Sequence, residues 1–353
     1  MSTLNDKLRA ALKSREERHI LRRLPDPTPG PSPTSSSPLT DFTSNDYLSL
    51  SSSPHLRRLF LAKLSSAPHV LGTTASRLLS NPAPHAQLEA RLARYLRADA
   101  ALLFTSGYDA NVGFFSAVPQ AGDVVVYDEY IHASVHDGMR ASRCADRAPN
   151  PNTYAYTDTT TSTPASLLPF AHNSLPALLT VLKTLLRHRP ALADGTSSVF
   201  IAVESLYSMD GTLAPLLAIV EAAETLFPRG NAHVVVDEAH ATGVYGRGRV
   251  VEMGLEGRVL ARLCTFGKAL AGSGAVILTT ELIRDYLVNY ARSLIYTTSL
   301  THANVIAIDC SFDLLEDGTA EVLAAKLFDL STYLLDLLRP HLATIPPRLL
   351  SLP

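Results

Sequence analysis

The chain has 353 residues, 46% of them apolar and 18% charged, with a formal net charge of −2. That length exceeds one small core and suits a large α/β unit with a smaller lobe. The near-neutral balance excludes bulk nucleic-acid binding and a basic membrane-binding face, and no apolar run reaches the roughly 18 residues that a bilayer requires. Three widely spaced cysteines, Cys144, Cys264 and Cys310, favour a reducing compartment over a disulfide framework or a CxxC metal site.

Residues 1–24 read as a charged amphipathic helix, with Leu4, Leu8, Leu12 and Leu21 among its apolar positions and no hydrophobic signal core. Residues 25–40 form a Pro/Ser spacer that packs no element of its own. Helical patterns follow at 54–66, 84–97 and 107–118, interleaved with apolar runs at 101–104, 123–127, 199–203 and 233–236. Short apolar runs separated by helices predict a parallel sheet buried on both faces. Residues 146–166 are polar and turn-rich, as an exposed insertion would be. Strand-like runs at 259–265 and 275–279 flank Lys268, and the pattern from 301 onward is helical. The expected organisation is therefore 1–40 as helix and linker, 41–300 as the large domain, and 301–353 as the start of a C-terminal small domain. The terminal Ser351-Leu352-Pro353 lacks the SKL-type peroxisomal address, so the expected compartment is the cytoplasm, or the peroxisome if a terminal signal is missing.

Open α/β sheets bind ligands at the carboxyl ends of their strands, and polar residues follow the apolar runs directly. In VVVDEAH (234–240), Asp237 ends a run of valines. A carboxylate there needs a positive partner, such as the protonated pyridine nitrogen of pyridoxal phosphate. It could equally cap the next helix. His240, three residues on, can reach such a cofactor's phenolic oxygen. In TFGKALAGSGAVI (265–277), Lys268 sits among small residues that leave room for a ring. A lysine that forms a Schiff base must be partly desolvated; the plain alternative is a surface lysine. Thr265 offers a hydroxyl to a phosphate. In FTSGYDAN (104–111), Gly107 opens a helix whose first amides form an anion site, although an ordinary turn reads the same way. His132 follows the run at 123–127 and can stack on a pyridine face or cap a helix, while His136 reads as surface. Glu204 and Ser208 follow the run at 199–203, and Ser208 can bond the cofactor oxygen.

SNDYL, SGYDAN, HAS, SMDG, VDEAHATGVYGRGR and TFGKA occur in one order between residues 41 and 301. In that order they resemble the α-oxoamine synthases, pyridoxal-phosphate enzymes of the aspartate-aminotransferase fold (fold type I). The resemblance implies roles residue by residue. Lys268 resembles the Schiff-base lysine and general base, Asp237 the partner of the pyridinium nitrogen, and His132 the ring-stacking histidine. Ser208 and His240 resemble groups near the phenolic oxygen, and Gly107, Tyr108 and Thr265 resemble phosphate contacts. Thr297 and Thr298 resemble hydroxyls that reach the phosphate of a neighbouring subunit, which implies a homodimer with shared active sites. Asn45 resembles a substrate-pocket residue, and Arg22 or Arg23, expected in the N-terminal helix, an arginine that meets the acyl substrate.

The implied reaction is decarboxylative condensation of an amino acid with an acyl-CoA thioester to an α-amino ketone. For the most similar branch these are L-alanine and pimeloyl-CoA, a step of biotin biosynthesis. The same motifs fit branches that make aminolevulinate or 2-amino-3-oxobutyrate, a polyketide-releasing branch, and a non-catalytic subunit. Two departures stand out. Thr73, Thr74 and Ala75 replace glycines of the family pattern in LGTTASRL (71–78), and the chain stops before the expected substrate-carboxylate arginine. Arg348 is the nearest arginine in sequence and has nothing to support that role.

Overall fold

The computed structural model describes residues 3–24, 41–144 and 166–345. The Pro/Ser spacer, nearly all of the insertion at 146–166 and Arg348 lie outside these residues. The chain separates into two compact units, Met1–Thr43 and Ser44–Pro353.

In the first unit, helix α1 (Leu4–Glu17) starts with a reciprocal cap. Thr3 Oγ1 accepts the Asp6 amide, and the Asp6 carboxylate accepts the Thr3 amide. The helix is shorter than its amphipathic pattern predicts. His19 takes a left-handed φ of 56°, a conformation that ends helices. Arg22 and Arg23 therefore lie beyond the helix rather than in it, which corrects the expectation, and both are exposed. Leu4, Leu8 and Leu12 are exposed as well.

The second unit opens with α2 (Pro54–Ser66) and α3 (Ala83–Tyr95), then alternates strands and helices. These are β1 (Ala100–Phe104), α4 (Gly107–Ala117), β2 (Val124–Asp128), α5 (Ala133–Arg140), β3 (Leu167–Phe170), α6 (Leu175–His188), α7 (Pro190–Ala193) and β4 (Val199–Glu204). There follow α8 (Leu216–Leu226), β5 (Ala232–Asp237), α9 (Arg249–Glu252), β6 (Ala261–Thr265) and β7 (Ala275–Thr279). Helices α10 (Glu281–Tyr290), α11 (Arg292–Ile295), α12 (His302–Glu316) and α13 (Thr319–Leu342) complete it.

One seven-stranded sheet has the order β1-β7-β6-β5-β4-β2-β3. All pairings are parallel except those of β7, which runs antiparallel to β1 and β6. The central strands bury both faces. Phe200, Ala202 and Val235 join the core beneath α4 and α5, while Val199, Ile201, Val203, Val234 and Val236 join the core beneath α6 and α8. Two-sided burial is why these strands read as unbroken apolar runs. The β3 strand escaped the sequence reading because it is short and contains Pro169. It pairs only with β2, at the sheet edge, where a missing N–H is tolerated.

The described residues from 301 onward belong to the second unit. Helix α12 is tied to α2 and α3 by an ionic network. Lys63 lies 2.6 Å from Asp313, and Arg91 contacts Asp313 at 2.9 Å and Glu316 at 3.0 Å. Asp309 accepts from both cations.

Candidate active site

The carboxyl ends of β1, β2, β4, β5 and β6 deliver Gly107, His132, Glu204, Asp237 and Lys268 to one edge of the sheet. Lys268 follows β6 in a tight turn. Gly272 N donates to Phe266 O and Ala271 N to Lys268 O, and Phe266 N pairs with Gly274 O. Gly274 has φ 104°, and a Cβ there would come within 2.9 Å of Phe104 O, so the turn needs glycine. Burial lowers the Lys268 amine, while the Asp237 and Glu204 carboxylates act in the opposite sense. The amine and both carboxylates thus share one electrostatic environment.

The Lys268 amine lies 2.6 Å from His240 Nε2, and His240 Nδ1 lies 2.7 Å from the Tyr47 hydroxyl. Burial, then the charges of Lys268 and His132, lower His240 to about 4, so the ring is neutral at pH 7. The Tyr47 hydroxyl also bonds Asn45 Oδ1 at 3.1 Å, which connects the SNDYL segment to the lysine.

Asp237 is 7% exposed. Its Oδ2 accepts Asn111 Nδ2 at 2.8 Å and its Oδ1 accepts the Ala239 amide at 2.9 Å. Asn111 also donates to Ser134 Oγ at 3.0 Å, and Ser134 Oγ meets His132 Nδ1 at 2.7 Å. The Ser134 amide donates to the same nitrogen, so Nδ1 accepts and the His132 proton sits on Nε2. His132 caps α5 and is exposed, leaving a face open to stacking. Glu204 pairs in register with Asp237 across β4 and β5. Burial and the neighbouring Asp237 raise its carboxyl well above the usual range.

Thr265 and Gly107 meet at the start of α4. A Cβ on Gly107 would lie 3.3 Å from Thr265 Oγ1, and the Gly107 and Tyr108 amides precede the first intrahelical bond, which Ala110 makes to Ser106. The Tyr108 hydroxyl donates to Asp137. Ser208 is exposed in the turn after β4. Thr297 lines a small cavity with Thr105, Arg77 and His85, and Thr298 is exposed. His136, read as a surface residue, instead packs half-buried, edge-on to Tyr127 at 5.0 Å.

Sequence reasoning gave no role to Tyr47, Asn111 or Ser134. For Asn111 a signal existed. It shares the helix face of Phe114 and Phe115, and a buried amide there requires a partner.

The model of the aminotransferase class I and II family matches residues 37–348. An 8-amino-7-oxononanoate synthase of Emericella nidulans is 46% identical over 330 residues, covering 92% of this chain and 73% of the relative. The chain belongs to the α-oxoamine synthases. An α-oxoamine synthase is a pyridoxal-phosphate-dependent acyltransferase of fold type I. The chain is also similar to the aminoacyl transferase sphA of Aspergillus fumigatus, 38% identical over 286 residues that cover 80% of this chain and 57% of that one. A high-resolution structure of a serine palmitoyltransferase with pyridoxal phosphate superposes with a TM-score of 0.64 at 26% identity, over 80% of this chain and 64% of that one. The chain therefore spans only part of each relative's length.

The site of this α-oxoamine synthase fits the family's cofactor on its own chemistry. The glycine at 107 leaves a cradle beside Thr265 Oγ1 that any side chain would narrow, next to the amides that favour a phosphate. Glu204, raised to about 8 by burial and by Asp237, is protonated at neutral pH, which leaves the buried Asp237 carboxylate as the group suited to a protonated ring nitrogen. Among the described residues, no helix is long and apolar enough to cross a membrane.

Proposed function

We propose that the chain condenses an amino acid with an acyl-CoA thioester, releasing coenzyme A and carbon dioxide and giving an α-amino ketone. The observation that carries this reading is the shared environment of the Lys268 amine and the Asp237 carboxylate beside the Gly107–Thr265 cradle. Pyridoxal phosphate, when bound, supplies the electron sink for a carbanion at the amino acid's Cα. The Lys268 amine, lowered by burial, takes and returns the Cα proton at neutral pH. Asp237, held by Asn111 and Ala239, would hold a protonated ring nitrogen of the cofactor when it is bound. His132 offers its open face for stacking, and Asn45 serves as a substrate-pocket residue. Thr297 and Thr298 serve a partner subunit in a homodimer. Arg22 or Arg23 meets the acyl group.

L-Alanine and pimeloyl-CoA are the proposed substrates, in biotin biosynthesis, on the strength of the 46% identity to an 8-amino-7-oxononanoate synthase. The similarity to serine palmitoyltransferase at 26% supports a second reading, with serine and palmitoyl-CoA. A cytoplasmic setting is part of this proposal; Cys144, Cys264 and Cys310 are buried thiols. The test is an absorbance spectrum of the purified protein with pyridoxal phosphate, then product analysis with alanine or serine against pimeloyl- and palmitoyl-CoA. A cofactor-derived band that vanishes in Lys268→Ala is expected. A protein that binds no pyridoxal phosphate ends the proposal.

A further inference from the structure

The contact between Lys268 and His240 has a direction that the neighbouring groups determine. Asn45 Oδ1 only accepts, so the Tyr47 hydroxyl, 3.1 Å away, spends its one proton there. The Tyr47 oxygen can then only accept from His240 Nδ1 at 2.7 Å. A neutral imidazole carries one proton, so Nε2 is bare and the Lys268 amine, 2.6 Å away, donates to it. Donation runs from Lys268 to His240 to Tyr47 to Asn45. We propose that Tyr47 is a positioning residue that locks His240 as the Nδ1–H tautomer, so that Nε2 takes a Lys268 N–H and leaves the amine's lone pair free. This rests on the reading of Lys268 as the cofactor lysine.

The alternative tautomer is self-defeating. An Nε2–H would donate to the amine nitrogen and occupy the electron pair that must attack the cofactor's aldehyde carbon. Tyr47 lies 193 residues from His240 in sequence, and among the described residues its hydroxyl bonds His240 and Asn45 rather than Lys268 or Asp237. Its effect therefore passes through the ring alone. His240 is faced by Lys268, His132 and Tyr47, and of these only Tyr47 bonds Nδ1.

The experiment is long-range proton–nitrogen NMR on cofactor-free protein with nitrogen-15 histidine, His240 being assigned by its loss in His240→Gln. Wild type should carry the proton on Nδ1, and Tyr47→Phe should give a mixture or the Nε2–H form. The rate of pyridoxal phosphate capture should fall about two- to tenfold in Tyr47→Phe, the range of one net hydrogen bond. A wild-type Nε2–H tautomer overturns the proposal, even if the variant fails to fold. So does an unchanged tautomer in Tyr47→Phe, or a changed tautomer with unchanged capture. If wild type captures no cofactor at all, the functional reading fails, while the NMR result still decides the tautomer.

Discussion

Substituting Gly138 by alanine tests the packing that holds the site together. Gly138 lies on α5 where that helix crosses α4. A Cβ there would come 2.8 Å from Phe115 Cβ, 3.0 Å from Asn111 O and 3.1 Å from Val112 Cα. Carbon pairs rest at about 3.5–4.0 Å, so the helices must part by roughly 0.7 Å. Overpacking of this kind costs about 1–3 kcal/mol, and the backbone neighbours cannot relieve it by changing rotamer. Alanine regains about 0.5–1 kcal/mol through its better helix propensity, leaving a net loss centred near about 1 kcal/mol. Domains of 150–250 residues shift by about 2–4 °C per kcal/mol, and a unit as long as Ser44–Pro353 by less, so the melting midpoint should fall by about 1–3 °C. The same parting separates Ser134 on α5 from Asn111 on α4, and Asn111 holds Asp237. The bond that the parting loosens is the neutral one from Asn111 to Ser134, worth about 0.5–1.5 kcal/mol, so affinity for pyridoxal phosphate should fall about two- to tenfold. Thermal melts and absorbance titrations read the two effects. An unchanged midpoint together with unchanged affinity would refute the reasoning.

Two further outcomes follow from particular residues. His240 is lowered to about 4 by burial and by the nearby Lys268 and His132, whereas an unfolded histidine titrates near about 6.5. Between those values the unfolded chain binds a proton that the folded chain refuses, so stability is lost as pH falls through that window, by on the order of 3 kcal/mol. His240→Gln should flatten that part of the melting-midpoint-versus-pH curve, and a variant with the wild-type slope would assign the slope elsewhere. Thr74 adopts φ 60°, a conformation that costs an L-residue about 1–2 kcal/mol. Thr74→Gly should raise stability by up to about 1 kcal/mol after the entropy of glycine is set against it, measured as a higher midpoint. A lower midpoint would mean that the hydroxyl's bond to Thr73 O outweighs the strain.

Much of the scaffold was legible because its signals are local. The runs at 101–104, 199–203 and 275–279 are strands, since a strand buried on both faces must be apolar throughout. Asp237, His132 and Lys268, which follow the runs at 233–236, 123–127 and 259–265, stand where open α/β sheets present groups to ligands. The family motifs pointed to the α-oxoamine synthases, to which the chain belongs. Local pattern also misled. The leucines at 4, 8, 12 and 21 suggested a helix through residue 24, but one left-handed residue, His19, stops it.

What the sequence by itself determined is every strand of the sheet but β3, the residues that follow those strands, and the family. These depend on periodicity, composition and motif order along the chain. Only the tertiary structure decided which side chains support them. Tyr47 reaches His240 across 193 residues and Asn111 reaches Asp237 across 126. A hydrogen bond depends on distance and direction within a few tenths of an ångström, and separation along the sequence carries no record of either.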